Sequence, residues 1–229
     1  MTAESFDERL IWLLKVSRSM WSTRDVETLL KLITDAFIEA SESDRGFLLL
    51  KDRNNGKLLF RVGLTNAGNA VAQHESRIST IANKVCREGK PIFATDTSAE
   101  SDLAARHSIH QLQLKMMVCV PLAVEAETLG VIYADGKSTL DKVFTQTNRR
   151  TLSMLAEHAA SAIENARLFE RATNDPITGL PNSSYFLHQL AKSMREATDK
   201  ARAGILLLDI DAFKRVNLAA GAEAGDKAL

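Results

Sequence analysis

Residues 114–137 read LKMMVCVPLAVEAETLGVIYADGK, two apolar runs of strand length joined around Glu125–Glu127. Both runs carry the aliphatic and β-branched residues of buried strands, and so short a connection suits an antiparallel pair. Working outward, residues 45–53 (RGFLLLKDR) and 57–63 (KLLFRVG) flank the turn signal Asn54-Asn55-Gly56, which predicts a second hairpin. Between the hairpins, residues 64–75 read as polar loop and 76–90 (SRISTIANKVCREGK) as a helix closed by Gly89. Residues 91–96 (PIFATD) form a short strand, and 97–110 a further polar loop. From Glu4 to Ala40 the period is helical. Leu10, Leu13, Leu14 and Val16, then Leu29, Leu30, Leu32, Ile33 and Phe37, recur largely three and four apart. Ser22 and Thr23, with Asp25 and Glu27 in the first turn, mark where the second of these helices starts. Strands in hairpins, packed on helices, predict an α+β fold around an antiparallel sheet.

Composition sets the frame for function. The 229 residues hold 29 basic and 29 acidic side chains, so no net charge draws the chain to nucleic acid or to an acidic membrane. Asp7, Glu8 and Arg9 interrupt the N-terminus before a signal peptide could build, and no apolar run is long enough for a membrane span. Cys86 and Cys119 have neither metal-ligand nor disulfide spacing, and they read as small core hydrophobes in a reduced, cytoplasmic setting. His107 and His110, three apart in the polar segment, have no carboxylate or cysteine at ligand spacing. His74, His158 and His188 read as solvated or helix-face residues, and Trp12 and Trp21 as packing residues beside the N-terminal helices.

A long helix is expected over 145–172. Its stripe of Leu152, Leu155, Ala159, Ala162, Ala166 and Phe169 has the 3-4 spacing of a two-helix seam, although packing on its own domain gives the same pattern. As a seam it would make the chain a homodimer. Asn174-Asp175-Pro176 breaks the helix, and a second unit of 55 residues, 229 minus 174, opens there. In it, a helix is expected from Ser183 to about Ala201, a strand over Gly204–Asp211 and a new helix from near Ala212.

That strand ends in Asp209 and Asp211, which would share a face. Two carboxylates at the tip of a covered strand suit a hard divalent cation held together with substrate phosphates. The N–H groups of the following helix suit the phosphates themselves. The plainer alternative makes Asp211 a helix cap and Asp209 a solvated charge.

Residues 175–190 (DPITGLPNSSYFLHQL), then LLLDIDAFKRVN and GAEAGD, resemble the opening third of a GGDEF domain, the diguanylate cyclase family. The resemblance implies a ferredoxin-like, nucleotidyl-cyclase-type fold. It also implies that Asp209, through its side chain, and Ile210, through its carbonyl, hold Mg²⁺. Backbone N–H groups near Ala212 and Phe213 would face the triphosphate, and Asn217 and Asp226 would bind the guanine of GTP. The implied reaction joins two GTP into cyclic di-GMP across a pair of domains. Leu218 stands where the family carries aspartate and Ala222 where it carries histidine, so weaker nucleotide binding is expected. The signature Gly-Gly-(Asp/Glu)-Glu-Phe stretch does not occur in these residues, so this chain alone is expected to be inactive, as a fragment of a longer enzyme.

The region from Val26 to Ala166 resembles a GAF domain through DRGFLLLKD, VCVPLAV with ETLGVIYADGK, Phe144 and the closing helix. The resemblance implies a sensory module with a pocket on one sheet face. The small-molecule signal is unknown, because neither a cyclic-nucleotide motif nor a bilin cysteine setting is found. The expected organisation is an N-terminal helix (1–25), a GAF domain (26–166) whose signalling helix continues to about 173, and an incomplete GGDEF domain (174–229). The expected function is control of a diguanylate cyclase by a GAF sensor. The alternative is a non-enzymatic sensory or dimerisation module with a vestigial output remnant.

Overall fold

The computed structural model describes residues 3–72, 76–95, 114–137, 145–196, 198 and 204–229, with the backbone alone at 3–10 and 76–79. His74, His107, His110 and Phe144 lie outside the described residues. The chain divides into two compact units, Met1–Ala166 and Arg167–Leu229.

The first unit is built on a five-stranded sheet in the order β2-β1-β5-β4-β3, every pair antiparallel. The strands are β1 (Arg45–Lys51), β2 (Leu58–Thr65), β3 (Ile92–Thr95), β4 (Met116–Val124) and β5 (Glu127–Gly136). Both predicted hairpins are present, and their turns follow from local chemistry. The Asp52 carboxylate accepts from the N–H groups of Asn54 and Asn55, and Gly56 takes the positive φ of 71° that the turn requires.

Period-two alternation divides the sheet into two buried faces. Leu48, Leu50, Val118, Val120, Ile132 and Ala134 face a core filled by α2 (Val26–Ser41) and α4 (Gln146–Thr173), with Leu13 and Met20 of α1 (Ala3–Ser22). Phe47, Leu49, Met117, Cys119, Val131 and Tyr133 face Ile81, Ala82 and Val85 of α3 (Ser76–Glu88). Burial on both faces is why β4 and β5 read as nearly unbroken apolar runs. Gly130 permits the tight pairing of β5 on β1, since a Cβ there would overlap the Leu49 carbonyl and lie 2.9 Å from the Leu50 Cα.

The start of α2 corrects the expectation. Ser22 ends α1, and Asp25 is itself the cap, its Oδ2 accepting from the Thr28 N–H at 2.7 Å. Ser22 and Thr23 turn their hydroxyls back to the Ser19 carbonyl instead. The hydrogen bonds from Thr28 hold the Asp25 carboxyl below its ordinary value. Asp25→Ala is expected to lower stability by about 1 kcal/mol at neutral pH, read as a shift of the urea midpoint. A lowered carboxyl pKa means the unfolded chain takes up protons first. The cap therefore stabilises fully above the ordinary value of 3.8 and fades as pH falls through the folded value. The wild-type advantage over Asp25→Ala is expected to shrink below pH 4.

The long helix forms as α4, but its stripe is not free to be a seam between chains. Leu152, Leu155, Ala159, Ala162 and Ala166 are buried in the first unit's own core, leaving no side-chain surface for a second helix. Phe169, the last of the stripe, packs edge-on against Tyr185 in the second unit, ring centroids 5.9 Å apart. His158 is a helix-face residue as read, but it is bonded: Ser17 Oγ and His158 Nδ1 are 2.9 Å apart.

In the second unit the breaker after α4 is a closed turn. Asp175 Oδ1 accepts from the Ile177 and Thr178 N–H groups and the Thr178 hydroxyl, and Gly179 adopts φ 69°. Asn182 donates its backbone N–H to the Thr173 carbonyl and its amide to the Ala172 carbonyl, which ties the end of α4 to the start of α5 (Ser183–Glu196). The motif residues Asp175, Thr178, Gly179 and Asn182 thus build the junction.

The strand expected over Gly204–Asp211 is not formed. Residues 204–210 carry no ladder, and Leu206 and Leu207 are 80% and 90% exposed. A strand exists only by pairing, and among the described residues no partner strand lies in this unit. Two helices follow, α6 (Phe213–Ala220) and α7 (Ala222–Ala228).

Candidate functional site

The implied nucleotide-binding residues fall at the mouth of α6 and on the face it shares with α7. Asp209, Ile210 and Asp211 are exposed and lead directly into the helix. The Asp211 capping alternative is not what forms: the N-cap of α6 is Ala212, in the left-handed conformation (φ 56°, ψ 27°) and with no side-chain cap bond. That conformation costs an alanine about 1–2 kcal/mol, and such outliers gather at binding sites. The Phe213 N–H closes a turn onto the Ile210 carbonyl at 3.3 Å, a long bond that leaves the oxygen a second lone pair.

Asn217, on α6, lies against Gly225 of α7. Its Oδ1 is buried and has no hydrogen-bond partner among the described residues. A buried acceptor without a donor is costly, and here the oxygen is closed against Gly225 rather than open to solvent. Asp226, next along α7, is exposed, as are Leu218 and Ala222 at the two positions that depart from the family pattern.

No group of three His, Cys, Asp or Glu residues that could hold a metal occurs among the described residues. Asp209 and the Ile210 carbonyl supply two hard oxygens. That donor set fits Mg²⁺, which takes one or two protein oxygens and completes its shell with water and phosphate.

The first unit has a polar feature that the sequence reading did not single out. At the end of the α3 face, Asp135 on β5 pairs with Arg45 across the β1–β5 ladder. Nε to Oδ1 is 2.6 Å and Nη2 to Oδ2 is 3.1 Å. The carboxylate is 1% exposed and the guanidinium 27%. Arg45 stands over the Phe47 ring at 5.4 Å, and Phe47 packs on Tyr133 and Phe60. Burial and then the Asp135 carboxylate raise the Tyr133 phenol well above its ordinary value, and among the described residues its hydroxyl finds no partner at hydrogen-bonding geometry. The only hint in sequence was an aspartate two residues beyond Tyr133 in an otherwise apolar run. On the same face, burial pushes the Cys119 thiol far up and the half-buried Cys86 thiol up more modestly, so both act as core hydrophobes.

Known proteins match both units. Residues 23–164 match the GAF domain family, and residues 172–229 match the family described as diguanylate cyclase, GGDEF domain. The chain belongs to the GAF domain family, and the start of a GGDEF domain follows the GAF fold. Diguanylate cyclase A of Treponema denticola is 32% identical over 114 residues, which are 48% of this chain and 31% of that protein. Diguanylate cyclase DgcP of Pseudomonas aeruginosa is 36% identical over 149 residues, 58% of this chain and 22% of that protein. The chain therefore spans less than a third of these relatives. The GAF domain of a phosphoenolpyruvate-protein phosphotransferase from Coxiella burnetii superposes with a TM-score of 0.52 at 19% identity, covering 70% of this chain and 95% of that domain. That likeness is one of fold.

Proposed function

We propose that the chain is the sensory and junction part of a cytoplasmic signalling protein whose GAF domain governs a diguanylate cyclase output, the condensation of two GTP into cyclic di-GMP. Support comes from the order of the two family matches and from relatives that are named diguanylate cyclases. Two output domains must meet to join two GTP, so a homodimer is part of the reading. The α3 face of the GAF sheet, with Tyr133, Arg45 and Asp135 at its polar end, is the place proposed for the signal.

In the output segment, Asp209 and the Ile210 carbonyl would hold Mg²⁺, which when bound neutralises triphosphate charge. Asn217 and Asp226 would read the guanine edge, Asp226 accepting from base N–H groups and Asn217 through its carboxamide once that turns out from against Gly225. Backbone N–H groups near Ala212 and Phe213 would face the triphosphate, that of Phe213 by giving up its 3.3 Å turn bond to the Ile210 carbonyl. The observation that carries the reading is the match of residues 172–229 to the family described as diguanylate cyclase, GGDEF domain.

Equilibrium titration of the 229-residue chain with GTP and Mg²⁺ tests it. Binding is expected, weakened about tenfold or more in each of Asn217→Ala and Asp226→Ala. No cyclic di-GMP is expected to accumulate from these residues alone. Failure to bind GTP, or variants that bind as well as the parent, would leave the output segment as a vestigial remnant.

A further inference from the structure

At the end of the GAF sheet opposite the Arg45–Asp135 pair lies a cleft of about 560 Å³. It exists because β1 stops short. The β1–β5 ladder closes at the Leu50–Gly130 pair, whereas β5 begins at Glu127. Beyond that pair, Thr128 and Leu129 face no strand on the β1 side among the described residues. The β4–β5 hairpin overhangs the gap. The last turn of α3, with Cys86 and Arg87, and the side of α4, with Glu164, line it from either face of the sheet.

The charges around the cleft are sorted by face. Leu49 packs on the α3 side and Leu50 on the α4 side, so alternation turns Lys51 to the α3 side, with Cys86 and Arg87. In the hairpin, Leu122 stands opposite Gly130 but Ala123 opposite Thr128, which makes Leu129 a bulge and turns it to the α4 side. Glu127 stands opposite Val124, which packs on the α4-side core, so it shares that face with Glu164. Cations therefore line one side and carboxylates the other. Glu164 is already held by Arg53, whose Nη2 lies 3.0 Å from both of its oxygens. Among the described residues Lys51 and Glu127 have no ion-pair partner, and Arg87 meets its own exposed neighbour Glu88 at 3.3 Å.

We propose that this cleft binds a short peptide with both termini free, its carboxylate on Lys51 and Arg87 and its ammonium on Glu127. A simple anion would set a like charge against Glu127, and a simple cation would do so against Lys51 and Arg87. A zwitterion meets both sides with the opposite sign. An extended backbone is what the open side of β5 beyond Gly130 can pair with, as in strand addition. Val124 and Leu129 offer apolar surface to its side chains, and the volume is that of a small-ligand site. The cleft lies at the other end of the sheet from Tyr133, Arg45 and Asp135, so it is a second input to the GAF domain and stands apart from the guanine reading of the output segment.

Calorimetric titration of the 229-residue chain with alanylleucine, and with its N-acetylated and C-amidated forms, tests the site. The free dipeptide is expected to bind, and each capped form about tenfold more weakly. The double variant Lys51→Met, Arg87→Met is expected to bind the free dipeptide about tenfold more weakly and to hold the free and amidated forms within about twofold of each other, because the partners of the carboxylate are gone. Glu127→Gln is expected to erase the difference between free and acetylated forms in the same way. All three side chains are exposed, so the urea midpoint is expected to stay that of the parent. Cys86 gives an independent readout. It is half-buried in the cleft wall while Cys119 is wholly buried, so a thiol-reactive dye labels Cys86 first, and bound dipeptide is expected to slow that labelling. No heat, or heat without protection of Cys86, would overturn the proposal. So would capped forms that bind as well as the free one, or variants that lose affinity for all three forms alike.

Discussion

Asp135→Ala is expected to destabilise the first unit by about 3–5 kcal/mol, the cost of removing one partner of a buried ion pair. The carboxylate is almost wholly inside the fold, and Arg45 grips it with two hydrogen bonds. Without it the guanidinium keeps its charge, since arginine does not deprotonate, and lies mostly covered over the Phe47 ring. The loss also opens space beside Tyr133, whose hydroxyl is already unsatisfied. Both tryptophans sit on α1, so urea unfolding followed by tryptophan fluorescence reports this unit. Arg45→Met alone is expected to be at least as damaging, because it strands the more buried charge. Arg45→Met with Asp135→Leu together should recover much of the loss, because well-packed apolar pairs often match a buried ion pair. If Asp135→Ala unfolds at the parent's midpoint, the pair contributes nothing and the polar end of the α3 face is not a structural unit.

How much of this was readable in advance depends on the range of each interaction. The hairpins were legible because turn chemistry is local: Asp52, Asn54, Asn55 and Gly56 settle the first within five residues. The two faces of the sheet were legible because alternation writes them into the chain, as at Phe47, Leu48, Leu49 and Leu50. Gly204–Asp211 misled for the same reason in reverse. Its composition is that of a covered strand, but composition cannot supply the neighbour that a ladder needs. Asp135 was missed because its partner lies 90 residues away across the sheet. At the output segment the motif named Asn217 and Asp226, yet the packing of Asn217 on Gly225 depends on how α6 meets α7. Spacing along one chain does not encode such a contact.

Leu155→Glu separates the two meanings of the α4 stripe most sharply. A 3-4 repeat looks the same whether it faces a helix of another chain or a sheet of its own. On the first meaning, a charge in the stripe would yield folded monomers. In the structure Leu155 is fully buried among residues of α2, α4 and the sheet. Truncating such a leucine costs about 2–5 kcal/mol. Placing a carboxylate there adds the penalty of an unpaired buried charge or of the proton uptake that avoids it. The sum approaches the roughly 5–15 kcal/mol that holds a whole domain together. The expected result is therefore loss of the cooperative thermal transition and of the native tryptophan signal. A separate substitution on the exposed face of the same helix, Met154→Glu, is expected to leave the fold intact, since that side chain already meets solvent. Light scattering on both variants checks the assignment. A Leu155→Glu chain that melts like the parent but halves in mass would return the stripe to the surface and make α4 a dimer seam after all.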